Sequence, residues 1–144
     1  MPASLYVVAT PIGHLDDMSL RAIDVLRSVN LIAAEDTRHS AKLLRHFDIR
    51  TPLISYHDYS ESSDIEGMLK RLRAGETIAL ISDAGTPLVS DPGYKLVVAC
   101  HHAQIPVVPI PGPSATITAL CAAGLPTDHF YFEGFLPSKP GQRA

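Results

Sequence analysis

An open, parallel, doubly wound α/β sheet is the fold this sequence predicts, and three observations predict it. Five short apolar runs of strand length alternate with stretches whose apolar residues recur at helical spacing, the rhythm of a parallel sheet with helices on its faces. The runs are apolar almost throughout rather than alternating with polar residues, as strands buried on both faces are. Glycine and proline gather just after three of the runs, at Pro11-Ile12-Gly13, in residues 82–93 and at Pro111-Gly112-Pro113. In open α/β sheets that edge is where small ligands bind.

The elements follow in order. Residues 4–10 read as a first buried strand, closed by the Pro11 turn. Ser19 is placed to cap a helix whose Leu20, Ile23, Leu26 and Val29 share one face. Residues 31–34 form a second strand, ending in Glu35-Asp36-Thr37-Arg38, and a short helix turns Leu43, Leu44 and Phe47 inward. Residues 52–56 make a third strand. Ser63 with Glu66 has the pattern of a capping box ahead of Ile65, Met68, Leu69 and Leu72, and Gly75 stops that helix. Residues 77–81 are the fourth strand, 94–103 a helix and 106–110 the fifth strand. A small-residue helix from Ser114 to Ala123 then ends at Gly124.

After that the rhythm breaks. Leu125-Pro126-Thr127-Asp128 reads as a linker, and residues 130–135, rich in aromatics, as a strand with no helix after it. Residues 1–123 are therefore expected to form an amino-terminal α/β domain. Residues 124–144 are expected to be a linker and the first strand of a second domain that the sequence does not include.

At 144 residues with 46% hydrophobic content the chain suffices for one ordinary core. No apolar run is long enough to span a bilayer, and no basic-then-apolar leader opens the sequence, so a cytoplasmic protein is expected. Cys100 and Cys121 lie in apolar helical patterns and read as small core residues of a reducing compartment. The formal charge of −3 argues against a surface coated for nucleic acid, so RNA contact would need a local basic patch.

No Gly-x-Gly-x-x-Gly follows the first strand and no Gly-Lys-Ser/Thr occurs, which lowers the case for a dinucleotide or triphosphate site. Three turns remain that could line one crevice: the one at Pro11, the loop from Asp83 to Gly93, and the one at Pro113-Ser114-Ala115. Pro113 stands at a helix start, where backbone N–H groups are free to meet a carboxylate; tight helix–sheet packing is the other reading. Asp83 and Asp91 flank the central loop without a His or Cys at ligand spacing, so a metal is not expected, and either carboxylate could serve as a turn cap. Glu35-Asp36-Thr37-Arg38 is a substrate-site candidate, or else an N-cap with a solvated arginine. Arg38, Lys42 and Arg45 form a basic stripe that suits phosphate or is simply a solvated face. The seven histidines make no triad pattern, with His57 beside Asp58 the one left open.

The ordered strings Leu5-Tyr6-Val7-Val8-Ala9-Thr10-Pro11-Ile12-Gly13, Ala34-Glu35-Asp36-Thr37-Arg38, Ser82-Asp83-Ala84-Gly85-Thr86-Pro87, Asp91-Pro92-Gly93-Tyr94, Pro111-Gly112-Pro113-Ser114-Ala115, Gly124-Leu125-Pro126-Thr127-Asp128 and Phe132-Glu133-Gly134-Phe135-Leu136-Pro137 together resemble the ribosomal small-subunit RNA (cytidine-2′-O)-methyltransferases. These are a branch of the tetrapyrrole methylase superfamily. The resemblance covers nearly the whole sequence and departs at His14, where the family pattern has Asn. It implies two α/β domains with S-adenosyl-L-methionine in the cleft between them, of which this sequence holds the first. Asp83, Ala84, Gly85, Thr86 and Pro87 would then line the cofactor, with Ser114 and Ala115 from the next turn and Pro11 and Ile12 from the first. The implied reaction is in-line attack of a cytidine 2′-oxygen of 16S RNA on the methyl carbon, driven mainly by alignment. Asp36 becomes the candidate base and Arg38 a substrate contact. A homodimer, 16S RNA as partner, and no role for DNA or membrane are also implied. A corrin or porphyrin precursor methylase on the same fold, and a non-catalytic cofactor-binding or assembly fragment, are the rival readings.

Overall fold

The computed structural model describes residues 1–56, 62–89, 93–137 and 139–143, with backbone alone at 142 and 143. Strands β1 (Leu5–Val8), β2 (Leu31–Ala34), β3 (Leu53–Ser55), β4 (Ile78–Ile81) and β5 (Val107–Ile110) form one sheet in the order β3-β2-β4-β1-β5. Every pairing is parallel. The doubly wound fold that the apolar runs predict is therefore present.

The strand order dictates where the helices go. From β1 through β2 to β3 the chain travels toward one edge of the sheet; from β3 through β4 to β5 it travels back. Right-handed crossovers place the connecting helices of these two journeys on opposite faces. Accordingly α1 (Leu20–Ser28) and α2 (Thr37–His46) cover one face, while α3 (Ser62–Arg73) and α4 (Tyr94–His102) cover the other. Register carries the pattern across the sheet. Leu31, Ile78, Leu5 and Val107 lie in one row that packs with Met68, Leu72 and Leu96. The next row, Ile32, Ala79, Tyr6 and Val108, packs with Ala22, Leu26 and Leu44. A slip of one residue would exchange the two cores.

Helix ends follow local chemistry. Ser19 Oγ accepts from the Ala22 amide at 3.0 Å and starts α1. Between α3 and β4, Arg71 clasps the Glu76 carboxylate through two hydrogen bonds of 2.8 and 3.0 Å. That pairing holds the Glu76 carboxyl below its ordinary range.

Four expectations are corrected. Leu20 is 81% exposed and Ala22 and Val25 take the inward positions instead; the core needed small residues close to the sheet, which a stripe drawn on large residues overlooks. The third helix begins at Ser62, so Ser63 sits inside its first turn, and Glu66 pairs with Arg73 at 3.0 Å rather than closing a capping box. Residues 130–135 are irregular, with no sheet partner among the described residues; a strand needs a neighbour to pair with, and this segment pairs with neither edge strand, β3 nor β5. Cys121 is exposed, because α5 (Ala115–Ala122) buries none of its side chains.

The two thiols should behave differently. Burial alone pushes Cys100 up to about 11, whereas Cys121 is exposed. The thiolate is the reactive form, so iodoacetamide at mildly alkaline pH is expected to label Cys121 and spare Cys100 in the folded protein. Peptide mass mapping reads the ratio; equal labelling would contradict the packing of α4 against the sheet.

Among the described residues, no helix is long and apolar enough to cross a membrane. Nor do three His, Cys, Asp or Glu side chains gather there as a metal site would require.

Candidate functional site

The loop after β4 has a neighbour on each side whose connection runs to the other face, because β4 lies between β2 and β1 and leads to α4 while they lead to α2 and α1. Such switch points open crevices at the carboxyl ends of the strands. Two cavities occupy this edge, and Asp83 lines both.

The larger cavity has a volume of about 480 Å³, within the ordinary range for small-molecule sites. Asp83, Ala84, Gly85 and Thr86 line it from the β4 loop, Ser114 and Ala115 from the start of α5, and Ile12 from the β1 turn. Phe132, Gly134 and Phe135 close it from the tail.

Its walls are tied together through the backbone. Thr10 and Gly85 exchange two N–H to carbonyl hydrogen bonds of 3.0 Å, an isolated antiparallel bridge between the β1 and β4 loops. The Thr10 hydroxyl donates to the Ser82 carbonyl at 3.3 Å, and the Thr86 hydroxyl donates to the Pro113 carbonyl at 3.0 Å. Gly85 is required at the crossing: its φ is +76°, and a Cβ there would stand 3.3 Å from Ile12 Cγ2 and 3.6 Å from the Pro113 carbonyl. All three loops therefore meet at one residue. Ser114 starts α5 with its Oγ accepting from the Ile117 amide at 3.4 Å.

The smaller cavity, about 250 Å³, lies between the β1 turn and α2. Pro11, His14 and Leu15 line it on one side, His39 and Lys42 on the other. Asp83 joins the two cavities: its Oδ1 accepts from the Asp36 amide at 3.3 Å, and its carbonyl lies 2.9 Å from His39 Nε2.

Of the residues singled out from sequence, Ile12, Asp83, Ala84, Gly85, Thr86, Ser114 and Ala115 come together around the larger cavity, and Pro11 lies in the smaller one. Pro87 is buried and lines neither. Asp36 is the N-cap of α2, its Oδ1 accepting from the Arg38 and His39 amides at 2.9 and 3.2 Å. Arg38 is exposed, and neither Asp36 nor Arg38 lines either of these two cavities. His14 turns its Nδ1 to the Asp16 amide at 3.2 Å. His57, Asp58 and Asp91 lie outside the described residues.

Sequence reasoning missed His39, and it placed Lys42 on a basic stripe suited to phosphate but not beside the β1 turn, since only the fold brings α2 there. It also missed Phe132 and Phe135, which were read as a strand. An aromatic cluster following a predicted ligand-binding turn was the one available signal.

An open parallel sheet with loops after β1, β4 and β5 knotted around a cavity defines a small-molecule-binding α/β domain. The model of the Tetrapyrrole (Corrin/Porphyrin) Methylases matches residues 4–142, and the chain belongs to that family. It is 59% identical over 135 residues to "Ribosomal RNA small subunit methyltransferase I" of Synechocystis sp., covering 94% of this chain and 48% of that protein. Its identity to the protein of the same name from Escherichia coli O157:H7 is 58% over 135 residues, with 94% and 47% covered. The chain thus spans about half the length of the curated relatives it matches. In fold it is similar to a uroporphyrin-III-C-methyltransferase from Thermus thermophilus, at a TM-score of 0.65 and 24% identity over 88% of this chain and 55% of that one. The cobalt precorrin-4 methyltransferase CbiF shares the fold at a TM-score of 0.60 and 16% identity, with 84% of this chain and 50% of that one covered.

Proposed function

We propose that this chain supplies the cofactor-binding half of an S-adenosylmethionine-dependent methyltransferase acting on the ribose 2′-oxygen of a cytidine in 16S ribosomal RNA. The observation that carries the reading is the larger cavity, built at the strands' carboxyl ends by residues 83–86 and Ser114-Ala115. Similarity to relatives named as small-subunit RNA methyltransferases supports the substrate class.

The residues present fit the cofactor. Ile12, Ala84, Val89 and Ala115 give apolar walls, Phe132 and Phe135 bring aromatic rings to the lining, and Asp83 and Ser114 bring oxygen acceptors. Bound there, the cofactor would supply an activated methyl group. The chain's own part is alignment: the Thr10–Gly85 bridge and the Thr86–Pro113 hydrogen bond fix three walls relative to one another.

We assign residues 1–123 to the amino-terminal domain and 124–144 to the passage into a second. α5 is apolar yet buries no side chain, and Ile117, Leu125, Tyr131, Phe135 and Leu136 are all more than half exposed. In proteins of twice this length, further chain is available to cover such a surface. A homodimer in the cytoplasm completes the reading.

Asp36 is the candidate base, and its cap role gives a clean way to test it. Asn caps helices as well as Asp, so Asp36→Asn should preserve α2 while removing a proton acceptor. In the full-length protein, ribose-methylation mapping of small-subunit RNA should show the rate at one cytidine falling by about a hundredfold or more. Undiminished methylation by Asp36→Asn would exclude it as the base. Methylation of a corrin or porphyrin precursor with no RNA product would favour the other branch.

A further inference from the structure

The smaller cavity is unexplained by cofactor binding, and its chemistry is of a different kind. α2 carries Arg38, His39, Lys42, Arg45 and His46 with no carboxylate between Thr37 and His46, in a chain whose formal charge is −3. Positive charge is therefore concentrated on this helix, and Lys42 brings it to the cavity. Several other cations are engaged: Arg50 with Asp48, Arg71 with Glu76, Arg73 with Glu66, and Arg27 with the Phe47 carbonyl. Lys42 has no hydrogen bond or ion pair among the described residues.

His39 adds an acceptor to the lining. A carbonyl oxygen only accepts, so the 2.9 Å contact with the Asp83 carbonyl places the proton on His39 Nε2. In the neutral ring Nδ1 then carries a lone pair suited to a hydroxyl donor. Pro11, Leu15 and Leu43 supply apolar wall. A free ammonium, a hydroxyl acceptor and an apolar wall are what one nucleotide requires: phosphate, ribose and base.

We propose that this cavity holds a nucleotide of the RNA substrate adjoining the methyl-transfer position, with the Lys42 ammonium on its phosphate. The proposal rests on the RNA methyltransferase reading above. Asp83 gives it direction, because the residue shared by the two cavities puts the nucleotide directly beside the cofactor site.

The test is fluorescence anisotropy of a short cytidine-containing single-stranded RNA against the full chain, across a salt series and without cofactor. Each phosphate contact on a single strand contributes about 0.7 to the slope of log affinity against log salt. Lys42→Ala is expected to weaken binding roughly fivefold at low salt and to flatten that slope by about 0.7. Lys70→Ala removes the same charge from an exposed position on α3, on the opposite face of the sheet, and should move neither quantity. Equal behaviour of the two variants, or no RNA binding by the unmodified chain, overturns the proposal. Calorimetry with S-adenosylmethionine on the same proteins separates the two ideas. If cofactor binds normally and Lys42→Ala matches Lys70→Ala, the nucleotide cavity alone is wrong. If the RNA slopes behave as expected but no cofactor binds, the cavity stands as an RNA site and the methyltransferase reading falls.

Discussion

Ser114→Trp is expected to lower S-adenosylmethionine affinity about a hundredfold or more, a loss of ~2.7 kcal/mol or greater. The residue stands at the mouth of α5 on the wall facing Asp83-Ala84-Gly85-Thr86, and an indole placed there fills space that the ligand needs. The walls cannot retreat to make room. Gly85 is bridged to Thr10 by two hydrogen bonds, and the Thr86 hydroxyl holds the Pro113 carbonyl one residue before the substitution. The same change removes the Ser114 cap on the Ile117 amide, which costs about 1 kcal/mol of helix stability. Ala115→Trp keeps that cap and obstructs the same cavity, so the pair separates blocked binding from a frayed helix. Titration calorimetry should find both variants folded and both deficient. Normal affinity in both would remove the larger cavity as the cofactor site.

How much of this was legible beforehand depends on what kind of information each feature carries. The sheet was legible because a strand buried on both faces writes itself as an apolar run, and residues 31–34 and 78–81 are buried at every position. Strand order was not. Nothing local in β4 states that it lies between β2 and β1, and that placement gives one loop two cavities. One wall of the larger cavity was visible as a turn crowded with Gly, Pro and Asp after a strand. Asp36 could be read as a cap or as a base, and its cap bonds explain the local pattern without excluding chemistry at the same carboxylate. The tail misled for a physical reason. Phe130, Tyr131, Phe132 and Phe135 have strand propensity, but propensity becomes a strand only beside a free edge. Here Phe132 and Phe135 border the larger cavity from an irregular segment instead.

Gly93→Ala should be the most destabilising single-methyl change at the site. Gly93 precedes α4 with φ +132° and ψ −18°, where a side chain is strained whatever the surrounding space. The space is also missing: a Cβ there would come 2.5 Å from Leu80 Cδ2 and 3.0 Å from Leu88 Cδ1. Leu80 is 1% exposed in the middle of the sheet, so it cannot swing aside without opening the core beneath α3 and α4. Backbone strain and overpacking each cost roughly 1–3 kcal/mol, giving a total of about 3 kcal/mol and a Tm about 10 °C lower for a domain of this size. Gly75→Ala supplies the control, since Gly75 has φ +97° but nothing within 4 Å of its missing Cβ. It should lose only the backbone part, about 1 kcal/mol. If thermal melts showed equal losses for the two variants, contact with Leu80 and Leu88 would not be what requires glycine at the end of the β4 loop. A larger loss at Gly93 would tie the shape of that loop to the core, because Leu88 rises from the loop itself and packs where the methyl would go.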